Sequence, residues 1–187
     1  MKYLLVGIGN KGEEYAETRH NIGFKVVEKI AEKIEAPFRS SNFGLLAEGK
    51  YKGRKVFVLK PDTYVNLSGN AVKFWMQKEN IPLENILIIT DDLALPFGSL
   101  RMKMKGSPAG HNGLKNIEAV LNTNQYTRLR FGISAEFKDG QQIDYVLGKW
   151  NEEEYSKLPE RIEKFAQAAL SFVFAGVQNT MSAFNGK

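Results

Sequence analysis

The sequence predicts an α/β fold, in which one domain forms a three-layer sandwich. A twisted, mixed but mostly parallel sheet would have helices on both of its faces. Apolar, strand-like runs alternate along the chain with amphipathic helical stretches, as in β-α units. Gly44 to Lys60 instead indicates two strands joined at Lys52-Gly53, a hairpin that adds antiparallel pairing. No repeat, low-complexity stretch or linker divides the 187 residues, so we expect a single domain over 1–187.

Four segments carry strand patterns besides the hairpin. Lys2 to Gly7 and Asn85 to Thr90 are continuous apolar runs, which indicates buried central strands. Gly98 to Lys105 alternates strictly between apolar and basic residues, and Arg128 to Ser134 is a further strand.

The helical period appears in four segments and predicts one more short helix at the end of the chain. The first runs from about Asn21 to Ile34, with its apolar residues on one face. Leu67 to Lys78 and Asn112 to Leu121 are the next two. Glu152 to Ala175 is a long amphipathic helix.

The composition bounds the class of protein. Hydrophobic content of 43% and charged content of 25% are those of a soluble globular protein. The chain has no Cys, which excludes disulfides and thiolate metal sites. No apolar run is long enough to span a bilayer, and the first residues lack the pattern of a signal peptide. We therefore expect a cytoplasmic protein without membrane association and without a metal.

A glycine-rich loop follows the first strand and matches the G-x-G-x-x-G pattern at Gly7, Gly9 and Gly12. In a dinucleotide site this loop opens directly onto a helix, and an acidic residue follows about 20 residues later, at the end of a second strand. Here residues 13–18 intervene with three acids, and the position about 20 residues on falls inside the first helix. The pattern disfavours a nucleotide site. It leaves a tight turn, or a loop that presents Asn10 at the carboxyl end of a strand.

Only two histidines occur, His20 and His111, and each is followed by Asn. Histidine titrates near neutral pH, so these positions hold most of the acid–base capacity of the chain. His20 fits either a surface or capping residue or a general base, and a base needs a partner that fixes its tautomer. Asp91 and Asp92 follow a buried strand and are candidate partners. Spacing alone favours this role and a plain turn equally.

Asn66 and Asn112 each end a connection between a strand and a helix. Each fits a helix N-cap or a group at a site on that edge of the sheet. The chain has neither a G-x-S-x-G elbow nor a H-E-x-x-H zinc motif. Covalent attack by Ser or Cys and zinc chemistry therefore have little support, and a water activated by His remains.

Basic residues form the other pattern. The net charge is +5, which permits a polyanionic partner. Strand periodicity puts Arg101, Lys103 and Lys105 on one side of a strand, and Arg128 and Arg130 on one side of another. If the strands are neighbours, five cations line one patch that could meet phosphates. The alternative is the solvated face of an edge strand, which Lys commonly protects. The strict alternation favours the patch.

Together these segments resemble the bacterial peptidyl-tRNA hydrolase family. The resemblance runs in the family's order over nearly the whole chain, although no single motif would suffice. The matching stretches are Val6 to Asn10, Tyr15 with Thr18 to Gly23, Lys60-Pro61 to Gly69, Asp91 to Gly98, Gly110 to Lys115, Arg128 to Ile133 and Asp144 to Gly148.

The resemblance implies hydrolysis of the ester that joins a peptide to the 3′ ribose of tRNA, which recycles tRNA during translation. It implies peptidyl-tRNA as the partner, no cofactor and a monomer. His20 would be the general base, held and polarised by Asp91, with Asp92 the less favoured neighbour. Asn10 would complete the catalytic set by helping to bind the substrate.

The resemblance also implies the binding groups. Asn66 and Asn112 would bind the peptide or the 3′ end, and would help to place water and the developing oxyanion. Tyr15 and Tyr64 would line the site near the tRNA terminus, and His111 would support the loop or the tRNA end. The groups that would contact tRNA phosphates are Arg101, Lys103, Lys105 and Arg130.

Three departures from the family pattern concern the walls of the site. Tyr64-Val65 stands where Phe-Met is frequent, and Leu93-Ala94 replaces a more acidic run. The loop Gly106 to Ala109 has fewer glycines than usual, so we expect a stiffer lid there.

Two other functions stay open: a non-catalytic relative that binds RNA in a splicing complex, and a nucleotide-dependent oxidoreductase. Retention of all the proposed catalytic groups argues against the first, and only the glycine-rich loop supports the second.

Overall fold

A computed structural model describes residues 1–187, which form seven strands and six helices. The strands are β1 (Lys2–Gly7), β2 (Arg39–Ser41), β3 (Gly44–Tyr51), β4 (Arg54–Pro61), β5 (Ile86–Asp92), β6 (Leu100–Lys103) and β7 (Thr127–Gly132). The helices are α1 (Ile22–Lys33), α2 (Ser68–Lys78), α3 (Asn112–Leu121), α4 (Gln142–Val146), α5 (Glu152–Ala175) and α6 (Val177–Phe184). None of the helices combines the length and apolarity needed to cross a bilayer.

The strands form one mixed sheet in the order β2-β3-β4-β1-β5-β7-β6. The central pairings β4-β1, β1-β5 and β5-β7 are parallel. The pairings β2-β3, β3-β4 and β7-β6 are antiparallel. The predicted hairpin is confirmed as β3-β4. Parallel pairings are three of six, fewer than the majority that we expected, because the edge strand β6 runs antiparallel to β7.

Two apolar cores lie on opposite faces of the sheet and confirm the three-layer sandwich. One contains Leu5 with side chains of α1 and α5. The other contains Leu4 and Val6 with side chains of α2 and α3. Successive residues of a strand point to opposite faces, so a fully buried strand such as β1 supplies both cores.

Two short elements, β2 and α4, are absent from the sequence prediction. Strand β2 has three residues, and none of them is buried. Helix α4 has five residues, and none of them is buried either. Neither is long enough to display an apolar period, so pattern analysis misses them.

The glycine-rich loop serves close packing. A Cβ atom added to Gly7 would lie 2.3 Å from the carbonyl oxygen of Gly23 in α1. One added to Gly9 would lie 3.0 Å from the Asn21 side chain. Helix α1 therefore approaches β1 backbone to backbone, and the loop leads into a 3₁₀ turn, Glu13–Tyr15, that carries two acids. The packing explains Gly7 and Gly9 without a nucleotide.

Candidate active site

The site lies at the carboxyl ends of the parallel strands β1, β5 and β7. Open α/β sheets form ligand clefts at this edge because the loops that leave neighbouring strands diverge there. A cavity of about 410 Å³ opens between these loops and α4. Eight predicted site residues line it directly: Asn10, His20, Tyr64, Asn66, Asp91, His111, Asn112 and Arg130.

His20 and Asp91 form a hydrogen-bonded pair. His20 occupies a 3₁₀ turn, Arg19–Asn21, that precedes α1, and Asp91 is the second-last residue of β5. The two side chains are joined by 2.7 Å between Nδ1 and Oδ2, and 16% and 3% of them are exposed. A carboxylate accepts, so we assign the proton to Nδ1 of His20, which leaves a lone pair on Nε2. Burial lowers the pKa of His20, but the charge and hydrogen bond of Asp91 outweigh it, so the pKa lies above its ordinary value of 6.5.

His111 holds the other oxygen of Asp91. Its Nε2 lies 2.8 Å from Oδ1, while its Nδ1 accepts the backbone N–H of Gly113 at 3.0 Å. These contacts place the His111 proton on Nε2, where Thr90 Oγ1 at 2.8 Å is a second neighbour. Burial opposes ionisation of Asp91, but two imidazoles surround the carboxylate and bring its pKa well below the usual range.

Asn21 fixes the loop that carries Asn10. Its Oδ1 accepts the backbone N–H of Asn10, and its Nδ2 donates to the Asn10 carbonyl, both at 2.9 Å. Asn10 Oδ1 in turn accepts the backbone N–H of Val65 at 2.8 Å, which leaves the Asn10 amide N–H groups for other partners. Sequence analysis gave Asn21 no role. Its position directly after His20 was the available signal.

Asn66 and Asn112 are not helix caps. Helix α2 begins after a 3₁₀ turn, Val65–Leu67, and α3 is capped by His111. Both Asn side chains are exposed on the cavity wall and make no hydrogen bond within the chain. Their amide groups are therefore available to a ligand.

Two tyrosines stand at the mouth of the cavity. The rings of Tyr15 and Tyr64 meet edge to face, with 6.5 Å between their centroids. Tyr64 is 49% exposed and lines the cavity, whereas Tyr15 packs behind it. Exposed aromatic rings of this kind offer stacking surfaces for a base or a planar group.

The predicted patch of five cations is wrong in extent. Arg101 and Lys103 on the edge strand β6, and Lys105 beyond it, are exposed. Arg128 and Arg130 face the same side of the sheet but are 0% and 6% exposed, because the loop of residues 104–110 covers them. The open basic surface therefore has three members.

The two buried arginines brace the loop that covers them. Arg128 Nη1 donates to the Gly106 carbonyl at 3.2 Å, and Arg130 Nη2 donates to the Ser107 carbonyl at 2.9 Å. Arg130 also pairs with Asp92 at 3.2 Å. Asp92 therefore points to Arg130, and only Asp91 reaches His20.

His20, Asp91 and His111 are also the residues that could share a metal ion, since their ligand atoms lie within 4.8 Å of one another. Their separations of 2.7 and 2.8 Å are those of hydrogen bonds. The two ring nitrogens that face Asp91 therefore carry protons and donate hydrogen bonds to it. In this state they have no lone pair to offer a metal ion.

The fold and the site define an α/β protein equipped for acid–base chemistry: a histidine–carboxylate pair at the strand ends, beside unpaired amides. The family model for peptidyl-tRNA hydrolase matches residues 4–187. Peptidyl-tRNA hydrolases of Parabacteroides distasonis and Bacteroides fragilis are each 56% identical over 187 residues, covering both chains completely. The crystal structure of the Acinetobacter baumannii peptidyl-tRNA hydrolase has a TM-score of 0.91 at 34% identity, over 98% of this chain and 95% of that chain. The chain belongs to the peptidyl-tRNA hydrolase family and is a hydrolase.

Proposed function

We propose that the protein hydrolyses the ester between the peptide and the 3′ ribose of peptidyl-tRNA, with His20 as the general base. The observation that carries the proposal is the 2.7 Å hydrogen bond from His20 Nδ1 to Asp91, beside an open cavity. The bond orients the ring and leaves Nε2 as the proton acceptor. Family membership supports the choice of substrate.

The reaction requires one proton to move twice. Water attacks the ester carbonyl carbon as His20 Nε2 takes its proton, and a C–O bond forms to give a tetrahedral oxyanion. The bond to the ribose 3′ oxygen then breaks, and His20 returns the proton to that oxygen. The products are a peptide acid and a tRNA with a free 3′ hydroxyl. Asp91 stays ionised throughout and stabilises the transient imidazolium.

Free amides supply the rest of the catalysis. Asn66 and Asn112 have unused N–H donors on the cavity wall, and Asn10 retains its amide N–H groups. We assign them to the peptide backbone, the water and the developing oxyanion. A positioned base is worth about 10²–10⁴-fold and an oxyanion donor about 10²–10³-fold, which suffices for an ester with a good leaving group.

The same proposal places the tRNA along the exposed basic surface. Arg101, Lys103 and Lys105 carry no ion pair in this structure and would meet phosphates without reading bases, so any tRNA is accepted. Tyr64, backed by Tyr15, would stack near the tRNA terminus. Arg130 would brace the neighbouring loop, rather than contact phosphate as we first expected. The protein would act as a cytoplasmic monomer that recycles tRNA during translation.

The test is release of N-acetyl-amino acid from N-acetyl-aminoacyl-tRNA by purified protein dialysed against EDTA. We expect turnover without added metal or nucleotide, and loss of at least about 10²-fold in kcat for His20→Ala with tRNA binding retained in a filter assay. Full activity of His20→Ala would contradict the mechanism. Wild-type protein that binds tRNA but releases nothing would instead favour the RNA-binding alternative.

A further inference from the structure

Arg19 precedes His20, yet its side chain leaves the cavity and enters the junction behind α4. The guanidinium lies over the Tyr145 ring, 4.1 Å from its centroid. Its Nη1 donates to the Tyr145 carbonyl at 3.1 Å, and its Nη2 pairs with Glu154 Oε1 at 3.2 Å. The Arg19 and Glu154 side chains are only 11% and 12% exposed. Loss of the Glu154 carboxylate would leave the Arg19 charge buried and unpaired, which is strongly destabilising. The Arg19 side chain is therefore held in the geometry that reaches Glu154.

Helix α4 and its flanks, residues 141–148, form the outer wall of the cavity; we call this segment the α4 flap. Ile143, Val146 and Leu147 of the flap line the cavity, and Ile143 is 71% exposed. An isolated helix as short as α4 is unstable in water. The flap is therefore held by its contacts with the rest of the molecule.

Several of those contacts are made by the turn that carries His20 and by the residue before it. The backbone N–H of Arg19 donates to the Gly148 carbonyl at 3.0 Å, and Thr18 forms a β-bridge with Lys149. A Cβ atom on Gly148 would lie 3.1 Å from Arg19 Nη1, so the guanidinium fills the space beside that glycine. The flap has other ties as well. The Tyr145 hydroxyl donates to the Ile133 carbonyl at 2.6 Å, just beyond β7, and the Tyr145 ring lies 5.3 Å from that of Phe137. Tyr145 and Val146 also pack against the apolar core.

The Arg19 side chain also joins the flap to the start of α5. Glu154 belongs to the capping box of α5, where its Oε1 accepts the backbone N–H of Asn151 at 3.0 Å. The same oxygen accepts from Arg19. The Tyr145 carbonyl, near the end of α4, accepts the backbone N–H of Gly148 at 3.1 Å, and Arg19 Nη1 is its second donor. One side chain thus contacts both the end of the flap and the beginning of the next helix.

We propose that Arg19 is a positioning residue that fixes the α4 flap over the cavity at a set distance from His20. The flap would then present Ile143, Val146 and Leu147 as a preformed apolar wall against which the peptide lies. This role in substrate binding rests on the proposed function, whereas the anchoring of the flap does not. A preformed wall lowers the entropy cost of binding the peptide. Loss of the anchor should therefore raise KM and leave the titration of His20 unchanged.

The test uses Arg19→Met combined with Glu154→Gln. Methionine keeps an apolar stem over Tyr145, and glutamine keeps the acceptor for Asn151 while leaving no buried unpaired charge. We expect amide hydrogen exchange in the flap, at Tyr145, Leu147 and Gly148, to become at least about 10-fold faster. We expect KM to rise roughly 10-fold, with kcat and the acid limb of the pH profile little changed. Arg19→Lys should give exchange rates and a KM between those of the wild type and the double variant, because lysine keeps the charge but lacks the planar guanidinium.

A matched control removes another ion pair that joins α5 to the α1 region of the chain. Lys33 in α1 pairs with Glu163 in α5, on the surface and away from the cavity. Lys33→Met with Glu163→Gln should leave both flap exchange and KM unchanged. The inference is overturned if the Arg19 double variant keeps wild-type flap exchange, or if exchange rises evenly over the whole chain with KM unchanged. Exchange needs no substrate, so a wild type that fails to hydrolyse peptidyl-tRNA would refute the proposed function and leave the anchor testable.

Discussion

At the scale of single residues, Asp91 organises the site. Its two oxygens take hydrogen bonds from His20 and His111, so two imidazoles that look equivalent in the sequence differ in what remains free. Nδ1 of His111 is occupied by the start of α3, whereas Nε2 of His20 has no partner in the chain. Of the two imidazoles, only that of His20 therefore has a ring nitrogen free to accept a proton, as the proposed mechanism requires.

The raised pKa of His20 predicts the acid limb of the pH profile. A base must be neutral, so kcat/KM should fall as pH drops through the pKa of His20 in the free enzyme. Asp91 holds that pKa above the 6.5 of a free imidazole, so the midpoint should lie above pH 6.5. A profile of kcat/KM between pH 5 and 9 measures it. Asp91→Asn should move the midpoint to lower pH, and an unmoved midpoint would separate the limb from this pair.

The same pair links stability to pH with opposite signs. The pKa of His20 is raised, so its contribution is complete below pH 6.5 and is lost as pH rises through the pKa in the folded protein. The pKa of Asp91 is lowered, so its contribution is present above the ordinary carboxyl range and is lost only in strong acid. Both contributions coexist in mildly acidic solution. In that pH range the pair stabilises the fold most, but His20 is largely protonated and so cannot act as a base.

At the scale of secondary structure, the position of α1 decides whether His20 reaches Asp91. The first turn of α1 rests on the backbone of the sheet: a Cβ on Gly23 would lie 2.5 Å from the Ile89 carbonyl oxygen in β5. Backbone atoms cannot swing aside as a flexible side chain does. We therefore expect Gly23→Ala to push α1 from the sheet and to destabilise the protein by about 1–3 kcal/mol. Denaturant unfolding measures the loss of stability, and kcat should fall with it because His20 lies on the 3₁₀ turn that leads into α1.

Gly49→Ala is the matched control for that substitution. Gly49 is also a glycine in a regular element, but the nearest atoms to its added Cβ are side-chain atoms of Ala36 and Ile34, at 3.2 Å. The Ile34 side chain and the loop that carries Ala36 can shift by a few tenths of an ångström, so the control should cost less and leave kcat unchanged. Equal losses in both variants would contradict a backbone contact as the reason for the glycine at position 23.

Sequence patterns predicted the long elements because each has a clear period and a buried face. They could not reveal α4, which has no buried residue and is held by partners distant in the sequence such as Arg19. They also placed Arg128 and Arg130 on the surface. Strand alternation gives the side of the sheet, but not the loop that later covers it. His20, Asp91 and Asp92 were named from their residue types and positions, and the resemblance favoured Asp91 for the proposed catalytic pair. Asn21 and the capping role of His111 required three-dimensional contacts.

At the scale of the whole molecule, the two edges of the sheet differ in what they present beside the site. The β6 edge carries Arg101 and Lys103, and the opposite edge carries Arg39 on β2 and Lys50 on β3. Both pairs are exposed, and each removes two positive charges from a net charge of +5 when replaced by alanine. Only the β6 edge continues into the loop that lines the cavity. The position of the charges, rather than their sum, should therefore decide how tRNA binds.

The salt dependence of tRNA binding tests this difference between the edges. Each phosphate contact releases condensed counterions, so the slope of log K against log salt falls by about 0.7–0.9 per lost contact. Arg101→Ala with Lys103→Ala should weaken binding and flatten the slope by about 1.4–1.8, whereas Arg39→Ala with Lys50→Ala should change it little. Filter binding of tRNA between 50 and 200 mM salt, about the range in which such slopes are resolved, measures both. Equal flattening would mean that net charge alone attracts tRNA, and an unchanged slope in the β6 variant would remove this edge from the binding surface.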